Sequence, residues 1–488
     1  MNQIRNKNLI ENIKSIILVV LFLSTILLLY FFWEDAPFEH FTQKEDFMQH
    51  EVIKFDEILQ PNRMMACLGG ESYAIVENAF YPMIQSLESY SKNQNLWMEE
   101  ITESQYKDSL TYPSLKAVFD YYVPFAAICE VFQIQKISGS DGVDALSEMA
   151  FSEAYPKIIF LFDQRNNKYY TIQGDSGNDF SSLSNIIVGA SGSSTTYFTL
   201  KLNFGGLVHN QTLIPDSLES DLYDFASTPE FTAGNDEKVE RVAKSFFSNN
   251  FDFVRKIEEQ DGTVIYMYGF GKIVLIVGKN GTFEFKREDD EKSPAPGRYL
   301  EALDKTLNFI AAHGAFETLE GTDYEPCLKK VILIDAGVKK GYRFIFGLSV
   351  NNHELFYQNG EAVTVDVIGG KVTYFKRDLI CYDADQIGSK AGNFREICSG
   401  MNVLAQNVGY INDILYRMNV LDTDHSGLTV EEILFVLAEQ VDRLDYGYVR
   451  LEDEKERAMI RAAWILTIGQ LEFYFDLDDG TPIGYSLK

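Results

Sequence analysis

The sequence predicts an α+β protein: an N-terminal transmembrane helix followed by several extracytoplasmic domains of antiparallel sheet, with helices packed on one sheet face. Three observations carry this. Ile16 to Trp33 is an eighteen-residue run without a charge. Further on, Asn-Gly, Gly-Gly and Asp-Gly pairs sit between short apolar runs, where hairpins turn. Between those runs lie segments whose apolar residues recur every three or four positions, as a half-buried helix requires.

The first run, IILVVLFLSTILLLYFFW, offers only Ser24, Thr25 and its aromatic tips as hydrogen-bonding groups. As a helix it is about 27 Å long at ~1.5 Å per residue, against ~30 Å for the hydrocarbon core of a bilayer. Arg5, Lys7 and Lys14 precede it with only Glu11 opposing them, whereas Glu34, Asp35 and Glu39 follow before Lys44. The positive-inside bias therefore places the N-terminus in the cytoplasm and everything from Glu34 onward outside the cell membrane, in a single pass. A cleaved secretory signal is the rival reading. The run is too long for a signal core, however, and Ala36 lacks a small partner two residues earlier and is followed by Pro37.

The 488 residues are 46% hydrophobic and 14% aromatic, which speaks for packed domains rather than disorder. Net charge is −29; setting aside the three basic and one acidic residue of positions 1–14 leaves 40 basic against 71 acidic, a net of −31. Such a surface repels phosphate backbones and anionic headgroups, so nucleic acid is not expected as a partner. Cys67, Cys129, Cys327, Cys381 and Cys398 include no Cys-x-x-Cys pair and read mostly as buried small hydrophobes, with a Cys381–Cys398 contact left open.

The chain divides into residues 1–33 (cytoplasmic N-terminus and anchor), 38–187, 188–385 and 386–488. In 38–187, Val76, Phe80, Met83, Ile84 and Leu87 mark a helix. SLKAVFDYYVPFAAICEVFQI reads as helix broken at Pro124, and KIIFLFDQRNNKYYTI as a strand pair turning at Asn166-Asn167. In 188–385, TTYFTLKLNF is strand-like, and helix then meander occurs twice. Asp236 to about Ser248 leads into VLIVGKNGTFEFK with a type I′ turn at Asn280-Gly281; RYLEALDKTLNFIAAH leads into strands with turns at Asn359-Gly360 and Gly369-Gly370. In 386–488, Leu404, Val408, Ile411, Leu415 and Met418 line one helix and a second runs from Val430 to about Leu444. AAWILTIGQLEFYFDLDDGTPIGY then closes the chain, with Leu471, Phe473 and Phe475 on one face and a hairpin at Asp479-Gly480.

Chemistry finds no foothold. The six histidines form no His-x-x-x-His or His-Glu-x-x-His, and no Gly-x-Ser-x-Gly elbow is present. Gly269-Phe270-Gly271 enters a strand, whereas an anion cradle needs a helix N-terminus. DTDHSGLTVEE begins like a calcium loop with Asp422, Asp424, Ser426 and Gly427, but its twelfth position is Ile433 instead of a bidentate Glu. Thr429 with Glu432 forms a capping box that explains the same residues. No catalytic residue, metal or cofactor is therefore assigned.

KSIILVVLFLSTILLLYFFW, FDEILQPNRMM and SLKAVFDYYVPFAAICEVF together resemble the YycH family of two-component regulatory proteins. The closing pattern around Trp464, Gly469, Tyr474, Phe475, Asp479-Gly480 and Ile483 is similar to the PepSY-like terminal sheet shared by YycH and YycI. The resemblance implies a non-enzymatic regulator in a Gram-positive cell membrane, contacting the cell-wall sensor histidine kinase WalK (YycG) together with a YycI-like protein. It brings no catalytic residues. This chain departs from the family in being longer, more acidic and in carrying the Asp422 to Glu432 loop. The alternative is an anchored ligand-binding or cell-wall-binding module without a kinase partner.

A single-span regulator acts on a kinase by preferring one of its packing states. Ser24 and Thr25, with Val20 and Leu28 a turn to either side of Ser24, mark the candidate contact face of the span. The other reading has Ser24 and Thr25 bonding to their own helix backbone.

Overall fold

A computed structural model describes residue 24 and residues 50–488 apart from 94, 136, 176–179, 193–195, 216–218, 232–235, 289–292, 320, 384–394, 421–426 and 452–457. The apolar span and its flanks therefore lie outside the described residues, except Ser24, which is helical and exposed. Among the described residues no helix is long and apolar enough to cross a membrane.

The fold is mixed α+β, and among the described residues its sheets are antiparallel but for one pair of strands. A nine-stranded sheet runs, edge to edge, through strands Leu96–Ile101, Lys168–Gly174, Ile159–Asp163, Glu148–Ser152, Ser114–Val118, Arg63–Gly69, Ser72–Ile75, Tyr197–Thr199 and Leu213–Pro215. Helix Phe80–Asn93 buries Phe80, Met83, Ile84 and Leu87, the spacing read from the sequence, with Val76 just before it. SLKAV, read as helix, is instead the strand Ser114–Val118, whose Leu115 and Ala117 alternate into the core; only Phe125–Val131, which Pro124 caps, is helical. The Asn166-Asn167 turn is present, with Asn167 at φ 50° and the Asp163 carboxylate accepting from the Asn166 backbone and side-chain N–H groups.

Strands Glu219–Ser220 and Arg395–Glu396 pair as a small separate sheet, and a fifteen-stranded sheet takes the remaining described strands. Its first meander, Arg255–Glu258, Val264–Tyr268, Ile273–Val277 and Phe283–Arg287, follows helix Asp236–Phe247. Its second, from Glu325–Ala336 through Lys339–Val350, His353–Tyr357 and Val363–Ile368 to Lys371–Arg377, follows helix Tyr299–Ala312. Phe283–Arg287 pairs with Lys371–Arg377 and fuses the two. The helices share one face of the sheet: Phe246 meets Phe285 and Phe309 meets Phe375, with ring centroids 5.3 and 5.4 Å apart. His313 lies between them, 4.1 Å from the rings of Phe246 and Phe309.

The turns divide by backbone chemistry. Gly369-Gly370 joins two paired strands with both residues at positive φ, as type I′ demands. At Asn280-Gly281 the hairpin forms, but only Gly281 has positive φ. Gly278 N–H donates to Thr282 O across three residues, so the turn is the longer kind that ends in one left-handed glycine, not type I′. Asn359-Gly360 closes no hairpin, because the strands on either side of it do not pair with each other.

The parallel pair, His353–Tyr357 with Arg443–Arg450, joins the second meander to the C-terminal strands Ala458–Ile468, Leu471–Asp476 and Pro482–Leu487. Leu471, Phe473 and Phe475 enter the main core as expected, while Tyr474 is buried on the other face. The helix read across Leu404 to Met418 is two helices, Gly400–Gln406 and Val408–Arg417. Between them Asn407 turns its amide to donate to Val403 O and Gly480 O. The last helix ends at Gln440, not Leu444, because Asn210 donates to Ala438 O and Val441 O and fixes its end; Leu444 belongs to the next strand.

Candidate functional site

Of the candidate membrane face, Val20, Thr25 and Leu28 lie outside the described residues and Ser24 is exposed. Of the calcium-like loop, Asp422, Asp424 and Ser426 lie outside them too. Its end is described: Thr429 Oγ accepts from Glu432 N–H, and the Glu432 carboxylate accepts from Thr429 N–H at 2.8 Å, which lowers its pKa. Glu432 is thus committed to the cap, and Ile433 packs against the core. Among the described residues no group of three or more His, Cys, Asp or Glu is placed to hold a metal. Cys381 and Cys398 are not joined in a disulfide, nor are Cys67, Cys129 and Cys327.

A dense polar arrangement lies where the parallel strands meet. Glu354 lies 3.3 Å from Lys329 and 3.0 Å from Arg443; Arg443 also reaches Asp445 at 2.8 Å, and Lys329 reaches Glu361 at 3.6 Å. Lys329 and Arg443 both stand over the Phe356 ring, at 5.0 and 5.5 Å. Alongside, Lys488 pairs with Glu472 at 3.2 Å and donates to Tyr357 O, while the Tyr474 hydroxyl contacts Glu472 and Ser486. Burial alone pushes Glu354 up, but the two cations outweigh it and hold the carboxyl at about 2. Glu354, Lys329 and Arg443 therefore stay charged across neutral pH. This trio can fix strands and supply charge, not act as a general acid or base near pH 7.

A second pair is fully enclosed. Glu230, just after strand Phe225–Pro229, accepts from Arg377 at 2.6 Å and from Leu319 N–H at 2.9 Å. Arg377 also donates to Gly314 O, Ala315 O and Glu317 O and lies over Phe283. These bonds hold the 314–319 loop between helix Tyr299–Ala312 and the long strand Glu325–Ala336. Sequence reasoning missed both clusters, whose bonded partners lie up to 147 positions apart. The available signal was single charges inside apolar strands: Glu354 in HELFY, Arg443 and Asp445 in RLDYGYV, Arg377 closing KVTYFKR.

No family model matches the chain, and neither does any curated protein. Among solved structures it is similar to YycH from Bacillus subtilis, at 12% identity and a TM-score of 0.55, over 89% of this chain and 98% of that one. An uncharacterized protein from Eubacterium rectale matches at 10% identity and a TM-score of 0.32, over 54% of this chain and 82% of its own. The Bacillus megaterium YpeB C-terminal domain matches at 11% and 0.23, over 53% and 100%. The first likeness gives the chain a YycH-like fold.

Proposed function

We propose that this chain is a membrane-anchored extracytoplasmic regulator of a cell-wall two-component sensor kinase of the WalK/YycG kind, working with a YycI-like partner. The observation that carries the reading is the likeness to YycH over nearly the whole of both chains, together with the basic-flanked apolar run at the N-terminus. The span crosses once, N-terminus inside, and presents Val20, Ser24, Thr25 and Leu28 to a kinase helix. The part from 386 to 488 is the PepSY- and YycI-like unit. Charge clusters whose members neutralise one another suit a rigid body that biases a partner's packing state rather than one that turns over a substrate.

The test is mild crosslinking in cells and purification of the tagged full-length chain. Recovery of a sensor kinase and a YycI-like protein is expected. Recovery of cell-wall material without either protein would instead favour the anchored binding module.

A further inference from the structure

Hairpin tips gather along one rim of the fifteen-stranded sheet. The register runs from Ile273 opposite Arg287, through Lys286 opposite Tyr374 and Lys371 opposite Ile368, to Gly341 opposite both Ile368 and Ile334. The turns at 269–271, 369–370 and 337–338 therefore emerge at the same end. Two corners of that rim expose apolar side chains. At one, Phe270 is 111% exposed and Phe253, just before the edge strand that pairs with Val264–Tyr268, is 78% exposed. At the other, Val338 is 56% exposed. Five inter-strand steps of ~4.8 Å separate the two hairpin tips, about 24 Å.

Phe270 has φ 60° between Gly269 at 61° and Gly271 at 90°. A bulky residue in the left-handed region is a backbone outlier, and an aromatic ring wholly in water adds a hydration cost. Glycine or asparagine would satisfy this turn better. Folding does not explain the ring, so its use lies in contact with something else. Apolar groups at both corners of one rim fit a broad, flat surface with an apolar layer beneath it better than a single pocket.

We propose that the Phe270 tip, with Phe253 beside it, seats in the interfacial layer of the bilayer that anchors the chain. This rests on the anchored reading above. Reach allows it: His50 N–H donates to Ala311 O, at the end of helix Tyr299–Ala312 away from the rim. The sixteen residues between Trp33 and His50 span up to about 53 Å at ~3.3 Å each, more than the ~20 Å length of that helix. With a net charge of −29 the seating is apolar, so it needs no anionic lipid and resists salt.

The experiment uses the full-length chain, carrying Trp33→Phe to lower the background, in nanodiscs of phosphatidylcholine brominated at shallow acyl positions. Phe270→Trp and Phe253→Trp are each expected to give blue-shifted emission that bromine quenches, whereas Tyr112→Trp, at another exposed aromatic, is not. Phe270→Asn, which suits the positive φ and keeps the fold by circular dichroism, is expected to abolish quenching of the Phe253→Trp probe. Absence of quenching at both tip positions overturns the inference, as does quenching that Phe270→Asn leaves unchanged or that Tyr112→Trp shares. A chain that does not enter nanodiscs overturns the anchored reading and this inference with it; one that enters without tip quenching overturns only the inference.

Discussion

The Arg377–Glu230 pair provides a stability test with an internal asymmetry. Both side chains are essentially inaccessible, at 1% and 0% exposure, and Arg377 has more partners than Glu230. In Glu230→Gln the guanidinium keeps Gly314 O, Ala315 O, Glu317 O and the Phe283 ring, so the loss falls toward the lower end of the ~3–5 kcal/mol for breaking a buried ion pair. In Arg377→Met the carboxylate keeps, among the described residues, only the Leu319 N–H, so the loss falls toward the upper end, about 5 kcal/mol. In the double variant no unpaired charge is buried, so it loses less than the sum of the two by at least ~2 kcal/mol. Urea unfolding followed through the transition of the fifteen-stranded sheet measures all four corners of the cycle. Additive losses, or a larger loss for Glu230→Gln than for Arg377→Met, would refute the view that the pair is held by desolvated charge.

Burial between Phe246 and Phe309 depresses the His313 pKa to about 4 from 6.5, despite the help of Phe309 O. The unfolded chain therefore binds the extra proton between pH 6.5 and 4. Stability is complete above 6.5 and falls as pH drops through that window, by about 2 kcal/mol between pH 7 and 5. His313→Phe should remove this component from the pH profile of the midpoint, and an unchanged profile would count against it. Gly281→Ala should destabilise by roughly 2 kcal/mol or more, since φ is +84° and the new Cβ would stand 2.9 Å from Glu230 N; an unaltered melting temperature would contradict this. Thr429→Ala should cost ~1 kcal/mol through the lost helix cap, and calcium at millimolar concentration should not restore it. Restoration by calcium, reversed by Asp424→Ala, would make the loop an ion site.

What the sequence disclosed about the fold follows the range of each interaction. Glycine turns and helix periodicity are set by neighbours within four residues, so Gly369-Gly370, Asp479-Gly480, the face of Phe80–Asn93 and the helix Tyr299–Ala312 were legible. Asn351-Asn352, a type I′ turn with φ of 49° and 63°, carried the same kind of signal without a glycine and went unread. SLKAV was read as helix because its apolar residues fit either period; tertiary pairing on both of its edges settled it as strand. The break at Asn407 and the end at Gln440 depend on Gly480 and Asn210, far along the chain, and no local pattern contains them. The parallel junction and the ion clusters on it are likewise products of long-range pairing. The candidate membrane face came from the sequence alone, and its residues other than Ser24 lie outside the described structure.

Regulation of a kinase by this chain is tested most directly by autophosphorylation. The sensor kinase is reconstituted in nanodiscs alone, with the full-length chain, and with a chimera in which an unrelated single-span anchor replaces residues 1–33. A change in the rate of phosphate incorporation with the full-length chain, in either direction, that the chimera reduces is the predicted result. A rate that the full-length chain leaves unchanged, with the YycI-like protein present as well as absent, would contradict the account.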